Sequence, residues 1–96
     1  MEKYIQKDEY CINLALDWLY RHSFITIEER YNRESERLIR VDFNPCYDEV
    51  LLYFDDVFSI YVYLDHRLDE VEKAVVVCYN FTYVYDKDGN VIGEEK

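Results

Sequence analysis

Two periods of apolar residues divide the chain. Between residues 8 and 22, Cys11, Ile12, Ala15, Leu16, Trp18 and Leu19 recur at intervals of three and four, the spacing of one helix face, while Asn13, Asp17 and Arg21 fall opposite. Asp8 is placed to cap the first turn, and Glu9 suits the positive end of the helix dipole. After Ser23 the period shortens to two, and aromatic and β-branched residues take over, as strands prefer. The pattern predicts strands over residues 24–31, 36–43, 50–54, 58–64 and 74–85, with Val91 and Ile92 pairing briefly with the last. Asn32-Arg33-Glu34-Ser35, Asn44-Pro45, Asp55-Asp56 and the run from Asp86 to Asn90 carry turn chemistry, so most neighbouring strands form hairpins. Residues 67–73 read as a helical turn started by Asp69.

The fold class expected is therefore α+β: one N-terminal amphipathic helix packed on one face of an antiparallel sheet of about five strands. Ninety-six residues leave room for one core, so 1–96 is read as a single domain. One helix cannot cover both faces of such a sheet, and the other face meets solvent or a partner. Alternation sorts the residues. Phe58, Ile60, Val62 and Leu64 share the core side of their strand, and Ser59, Tyr61, Tyr63 and Asp65 share the outer side. Val50, Leu52 and Phe54 repeat the pattern with Leu51, Tyr53 and Asp55 opposite, as do Ile39, Val41 and Phe43 with Leu38, Arg40 and Asp42 opposite. Over residues 74–85 both sides are apolar or aromatic, and alternation does not decide the facing. Tyr79, Tyr83 and Tyr85 are candidates for the outer side on that ground.

Charge changes the picture next. Twenty-one Asp and Glu against 11 Lys and Arg give a net charge of −10. Such a field repels phosphate backbones and anionic membranes, so neither direct nucleic-acid binding nor membrane adsorption is expected. It attracts a protein partner with a basic surface. The longest apolar stretch, residues 74–79, is too short to span a bilayer, and no signal-peptide pattern precedes the helix. With three cysteines at wide spacing, reduced thiols and a cytoplasmic location are expected.

No constellation of catalytic chemistry stands out. Cys11, Cys46, Cys78, His22 and His66 lack the short spacings of a zinc site, and small buried thiols with a helix-end histidine account for them. Asp86-x-Asp88-Gly89-Asn90 has its glycine fourth rather than sixth, which suits a hairpin turn and not a calcium loop. The adjacent acids, such as Asp55-Asp56 and Asp69-Glu70, point to opposite faces of extended chain and do not converge on one reacting atom. No metal, no cofactor and no enzymatic activity are expected.

The expected site is a binding face: Asp42, Tyr53, Asp55, Asp56, Tyr61, Tyr63 and Asp65, in which tyrosine rings supply the desolvated centre and carboxylates meet basic residues. In its size, acidity and 11 tyrosines the chain resembles phage-encoded anti-restriction and anti-CRISPR proteins, a likeness of composition that covers no motif. That resemblance implies an inhibitor that mimics nucleic acid, blocks a nucleic-acid-handling enzyme or effector complex, and acts in the host cytoplasm if phage-encoded. The same surface suits an immunity or antitoxin protein neutralising a basic toxin. It also suits a structural or regulatory homodimer that hides the tyrosines against its twin.

Overall fold

The computed structural model describes residues 3–33, 35–55 and 57–95, and their side chains except those of 3–6 and 95. Glu34 and Asp56, both assigned to turns above, lie outside the described residues.

Helix α1, Lys3–Arg21, already runs through Asp8 and begins well before the start that an Asp8 cap implies. Residues 3–7 contain neither glycine nor proline, so nothing halts helix propagation there. The periodic residues do form its buried stripe, with Cys11, Ala15, Leu16 and Leu19 fully buried. The helix ends at a left-handed residue, Ser23 (φ 66°). There Phe24 N donates to Leu19 O and Ser23 N to Tyr20 O, the paired bonds that satisfy the last carbonyls of a helix closed by a Schellman motif.

Residues 24–31 are not a strand. Their second half is α2, Ile27–Asn32, started by a reciprocal cap: Glu29 N donates to Thr26 Oγ1 at 3.2 Å and Thr26 N donates to Glu29 Oε1 at 2.9 Å. Two orphan donors of the first turn are thereby satisfied, and this local gain outweighs the strand preference of Ile25, Ile27 and Tyr31. Arg33, left-handed at φ 59°, closes the helix.

Six strands follow as an uninterrupted antiparallel meander in sequence order. They are β1 (Leu38–Asn44), β2 (Glu49–Phe54), β3 (Phe58–Leu64), β4 (Val71–Cys78), β5 (Thr82–Asp86) and β6 (Val91–Glu95). The expected long strand over 74–85 is two strands joined by a turn at residues 79–81, closed by Cys78 N donating to Phe81 O. A chain that long would run past the end of β3 with no ladder to join, so it folds back where Asn80 tolerates a turn. Nor does a helical turn form at residues 67–73. The Asp65 carboxylate accepts from the amides of Asp69 and Glu70, which turns the chain back and starts β4 at Val71.

Helix α1 packs mainly on β1 to β4. The core lies between, built on Leu16, Leu19, Val50, Leu52, Phe54, Ile60, Val62 and Ala74. In β1 the expected facing fails at its start. Leu38 pairs with Phe54 and Arg40 with Tyr53, so Ile39 is an extra, bulged residue. Leu38 is thereby 2% exposed in the core and Ile39 is 63% exposed, the reverse of strict alternation, while Val41 and Phe43 pack inward as expected. Ala74, Val76, Tyr83 and Tyr85 face inward, with the Tyr85 ring edge-on to Phe24 at 4.9 Å. Tyr83 and Tyr85 are therefore lost to the outer side, and Tyr79 stands in the β4–β5 turn.

The β5–β6 turn is fastened to the end of α1. Gly89 adopts φ 85°, and a Cβ there would stand 2.5 Å from Nδ1 of His22. Gly89→Ala is expected to cost about 1–3 kcal/mol in urea denaturation, from the positive φ and the contact together. Adding His22→Ala should relieve the contact and leave the backbone cost. A single variant as stable as the parent would remove both arguments.

Candidate protein-binding face

The strand registers align the outer residues in three rows across the sheet. The middle row runs Asp42, Leu51, Tyr61, Val75, Val84 and Gly93. On one side lie Arg40, Tyr53, Ser59, Val77 and Thr82; on the other lie Asn44, Glu49, Tyr63, Lys73 and Asp86. Neither helix covers this face, since α1 packs on the opposite side and α2 packs against α1. Its centre is thus uncharged and apolar, from Leu51 through Tyr61 to Val84, with charge only in the flanking rows and at the β1 margin. No family model, curated protein or solved structure matches this chain.

Both edges of the sheet are poorly suited to adding a further strand. β1 is bulged at Ile39, and β6 is bulged at Ile92, because Gly93 pairs with Val84 and Val91 with Tyr85. A bulge interrupts the row of free backbone groups that strand addition needs.

The expected site residues divide into three groups. Asp42, Tyr53, Tyr61 and Tyr63 do share the bare face. Asp55 and Asp65 terminate β2 and β3 at opposite ends of the sheet, and Asp56 lies outside the described residues. The face also holds partners that alternation does not show. Arg40 lies 2.7 Å from the Asp42 carboxylate and 4.9 Å above the Tyr53 ring, so this carboxylate is already engaged by its own chain. Burial pushes the Tyr63 hydroxyl up to about 12, helped by donation of its proton to the Glu49 carboxylate, and Lys73 Nζ lies 5.2 Å from the ring. Asp65 is held below the usual carboxylate range, first by the Asp69 amide, and shapes its loop. Tyr61 stands within the middle row, between Leu51 and Val75.

Antiparallel order also sorts the turns. The β1–β2, β3–β4 and β5–β6 connections share one end, bringing together Asp48, Asp65, Asp69, Glu70, Asp86 and Asp88, with Arg67 and Lys87 among them. The opposite end holds the exposed apolar side chains Ile39, Val57, Val77, Tyr79 and Phe81, with Asp55 beside them. Sequence reasoning missed this polarity, because it depends on which turns share an end, and turn composition alone does not sort them: the β2–β3 turn begins with Asp55 although it lies at the apolar end. It also missed Val75 and Val84 as face residues, because Ala74, Val76 and Tyr83 are as apolar as they are.

Cys11 is buried on the inner face of α1, Cys46 is exposed in the β1–β2 turn and Cys78 is half-buried at the end of β4. Among the described residues no three of His, Cys, Asp and Glu come together in a way that could hold a metal ion, and no helix is long and apolar enough to cross a membrane.

Proposed function

We propose that the chain is a protein-binding inhibitor that lays the bare face of its sheet on a basic, nucleic-acid-binding surface of an enzyme or effector complex, in place of the nucleic acid. One observation carries this reading: a six-stranded sheet leaves the row Leu51, Tyr61, Val75, Val84 uncovered in a chain of net charge −10. An apolar, tyrosine-bearing centre supplies contact area that releases water, while the surrounding field steers a basic partner and makes its capture sensitive to salt. The acidic end supplies most of that steering. Asp42 joins the contact by exchanging Arg40 for an arginine of the target, which makes the mimicry less a row of free carboxylates than an exchange of ion pairs. The composition shared with phage-encoded anti-CRISPR proteins favours a viral inhibitor acting in the host cytoplasm as the specific form of this reading.

The test is capture of the target from host lysate, washed at low and high salt and challenged with duplex DNA or RNA. The captured protein should be basic, lost at high salt and displaced by nucleic acid. Tyr61→Ala should weaken its binding by about tenfold to a hundredfold, as central interface tyrosines do, with little change in thermal stability because the ring is not in the core. Binding untouched by Tyr61→Ala would take the face out of the proposal. Recovery of the protein alone, with a dimer in sedimentation, would replace the inhibitor by the homodimer.

A further inference from the structure

We infer that the bare face has a specific anchor at its apolar end: a groove that receives one arginine side chain of the basic partner. This rests on the reading of the face as a docking surface and names the residue type that fixes it there.

The groove follows from one small residue. In the row Tyr53, Ser59, Val77, the serine stands between two larger side chains, and the next residue of β3 on that face is Tyr61. The resulting cavity is about 340 Å³, with Ile39, Val57 and Tyr79 on its walls. Ile39 is placed there by the β1 bulge and is 63% exposed, Val57 61% and Tyr79 90%, so this end collects the exposed apolar surface around a hollow. Among the described residues, the charged one lining it is Asp55. An apolar trough with one carboxylate matches a side chain with an aliphatic stem and a cationic head, and a net charge of −10 selects against an acidic visitor.

Arginine fits better than lysine because the walls are aromatic, and guanidinium is the cation that both stacks on rings and pairs with carboxylates. The chain uses this chemistry twice nearby. Arg37 lies 5.0 Å from the Phe54 ring centre and 5.9 Å from that of Phe58 while pairing with Glu29 at 2.7 Å. Arg40 lies 4.9 Å over Tyr53 while pairing with Asp42. The groove has Tyr53 and Tyr79 as its aromatic walls, with Asp55, whose charge also acts on Arg37, as the carboxylate.

The experiment titrates isotopically labelled protein with a capped Gly-Gly-Arg-Gly-Gly peptide and with the same peptide carrying neutral, isosteric citrulline, following backbone amide shifts by NMR. Saturable shifts are expected at Tyr53, Asp55, Val57, Ser59 and Val77, with citrulline binding about tenfold weaker or worse. Ser59→Leu should fill the groove and abolish these shifts while the amides of Cys11, Leu16 and Leu52 keep their positions. If that variant disturbs the fold, Asp55→Asn serves instead and should weaken arginine binding with no effect on citrulline. Shifts confined to the acidic loops around Asp69, Glu70 and Asp88, equal affinity for the two peptides, or arginine binding that survives Ser59→Leu would each overturn the anchor. A target captured through Tyr61 but indifferent to Ser59→Leu refutes the anchor and leaves the docking face standing. Absence of any Tyr61-dependent target refutes the docking face itself, whatever the peptide does.

Discussion

Replacing Glu29 with alanine is expected to lower the stability of the protein by about 3–5 kcal/mol. The side chain is 1% exposed and is the centre of a closed network. Its Oε2 accepts from Arg37 Nε at 2.7 Å and from Ser35 Oγ at 2.6 Å, and its Oε1 accepts from Arg37 Nη2 and from the Thr26 amide, each at 2.9 Å. Arg37 in turn donates to the Phe24 carbonyl at 3.1 Å, so the same carboxylate caps α2, fixes the approach to β1 and holds a guanidinium against the Phe54–Phe58 pair. Removing the anion leaves that guanidinium partly buried without its counter-charge and the α2 cap half-made. Arg37→Ala should be at least as harmful, since a buried carboxylate then loses its counter-charge, and the double variant Glu29→Ala with Arg37→Ala should lose less than the sum of the two. Urea denaturation of the four proteins forms the cycle. If the single losses simply add in the double variant, the pair is not coupled and this account fails.

The same network predicts a dependence on acid. Hydrogen bonds from Arg37, and then from Ser35 and Thr26, bring the Glu29 carboxyl down from its usual 4.5 to about 2. A carboxylate with a depressed folded pKa contributes stability that is fully present above pH 4.5 and is lost as the pH falls from there through about 2. At about 1.4 kcal/mol per pH unit the gap is worth about 3 kcal/mol, in keeping with the expected effect of the substitution. Denaturation midpoints measured from pH 6 to pH 2 should therefore fall more steeply for the parent than for the Ala–Ala double variant. Equal slopes would show that other carboxylates govern the acid limb.

Trp18→Ala is expected to cost a similar amount, about 3–5 kcal/mol, through a different mechanism. The indole is 3% exposed, stacks near Phe24 at 5.7 Å, contacts the His22 ring at 4.6 Å and donates Nε1–H to the Lys87 carbonyl at 2.7 Å. It is thus the link between α1 and the β5–β6 hairpin, which the helix otherwise barely covers. The loss should not be uniform. Because β6 is an edge strand paired with β5, amides of β6 should exchange with solvent well before those of β2 and β3 once the indole is removed. Trp18→Phe keeps most of the packing and forfeits the hydrogen bond, and should cost about 1 kcal/mol. Uniform acceleration of exchange across the whole sheet would mean that Trp18 acts as generic core rather than as a fastening.

How much of the candidate site can be read from sequence differs by residue. Tyr53, Tyr61 and Tyr63 are legible because β2 and β3 obey strict alternation against a plainly apolar partner set, and a period of two leaves one choice of face. Asp42 is legible as a face residue but not as a paired one, since the Arg40 contact depends on two side chains two residues apart leaning together on a bulged strand. The Ser59 groove is invisible in sequence. It exists because pairing sets Ser59 between Tyr53 and Val77, and pairing is a property of the sheet.

By itself, then, the sequence determined what repeats locally: the apolar stripe of α1, the alternation of β2 and β3, the turn chemistry at Asp86 to Asn90, and an acidic chain whose helix can cover only one face of its sheet. Even α2 was written locally, in the Thr26 and Glu29 spacing of a capping box, though strand-forming neighbours masked it. Tertiary structure alone decided where the long apolar run breaks into β4 and β5, which side of those strands is bare, why Leu38 rather than Ile39 enters the core, and which carboxylates are already bound by Arg37 and Arg40. Each of these turns on what lies across the sheet from a residue, and residues with the same local pattern are told apart only when the neighbouring strand is in place.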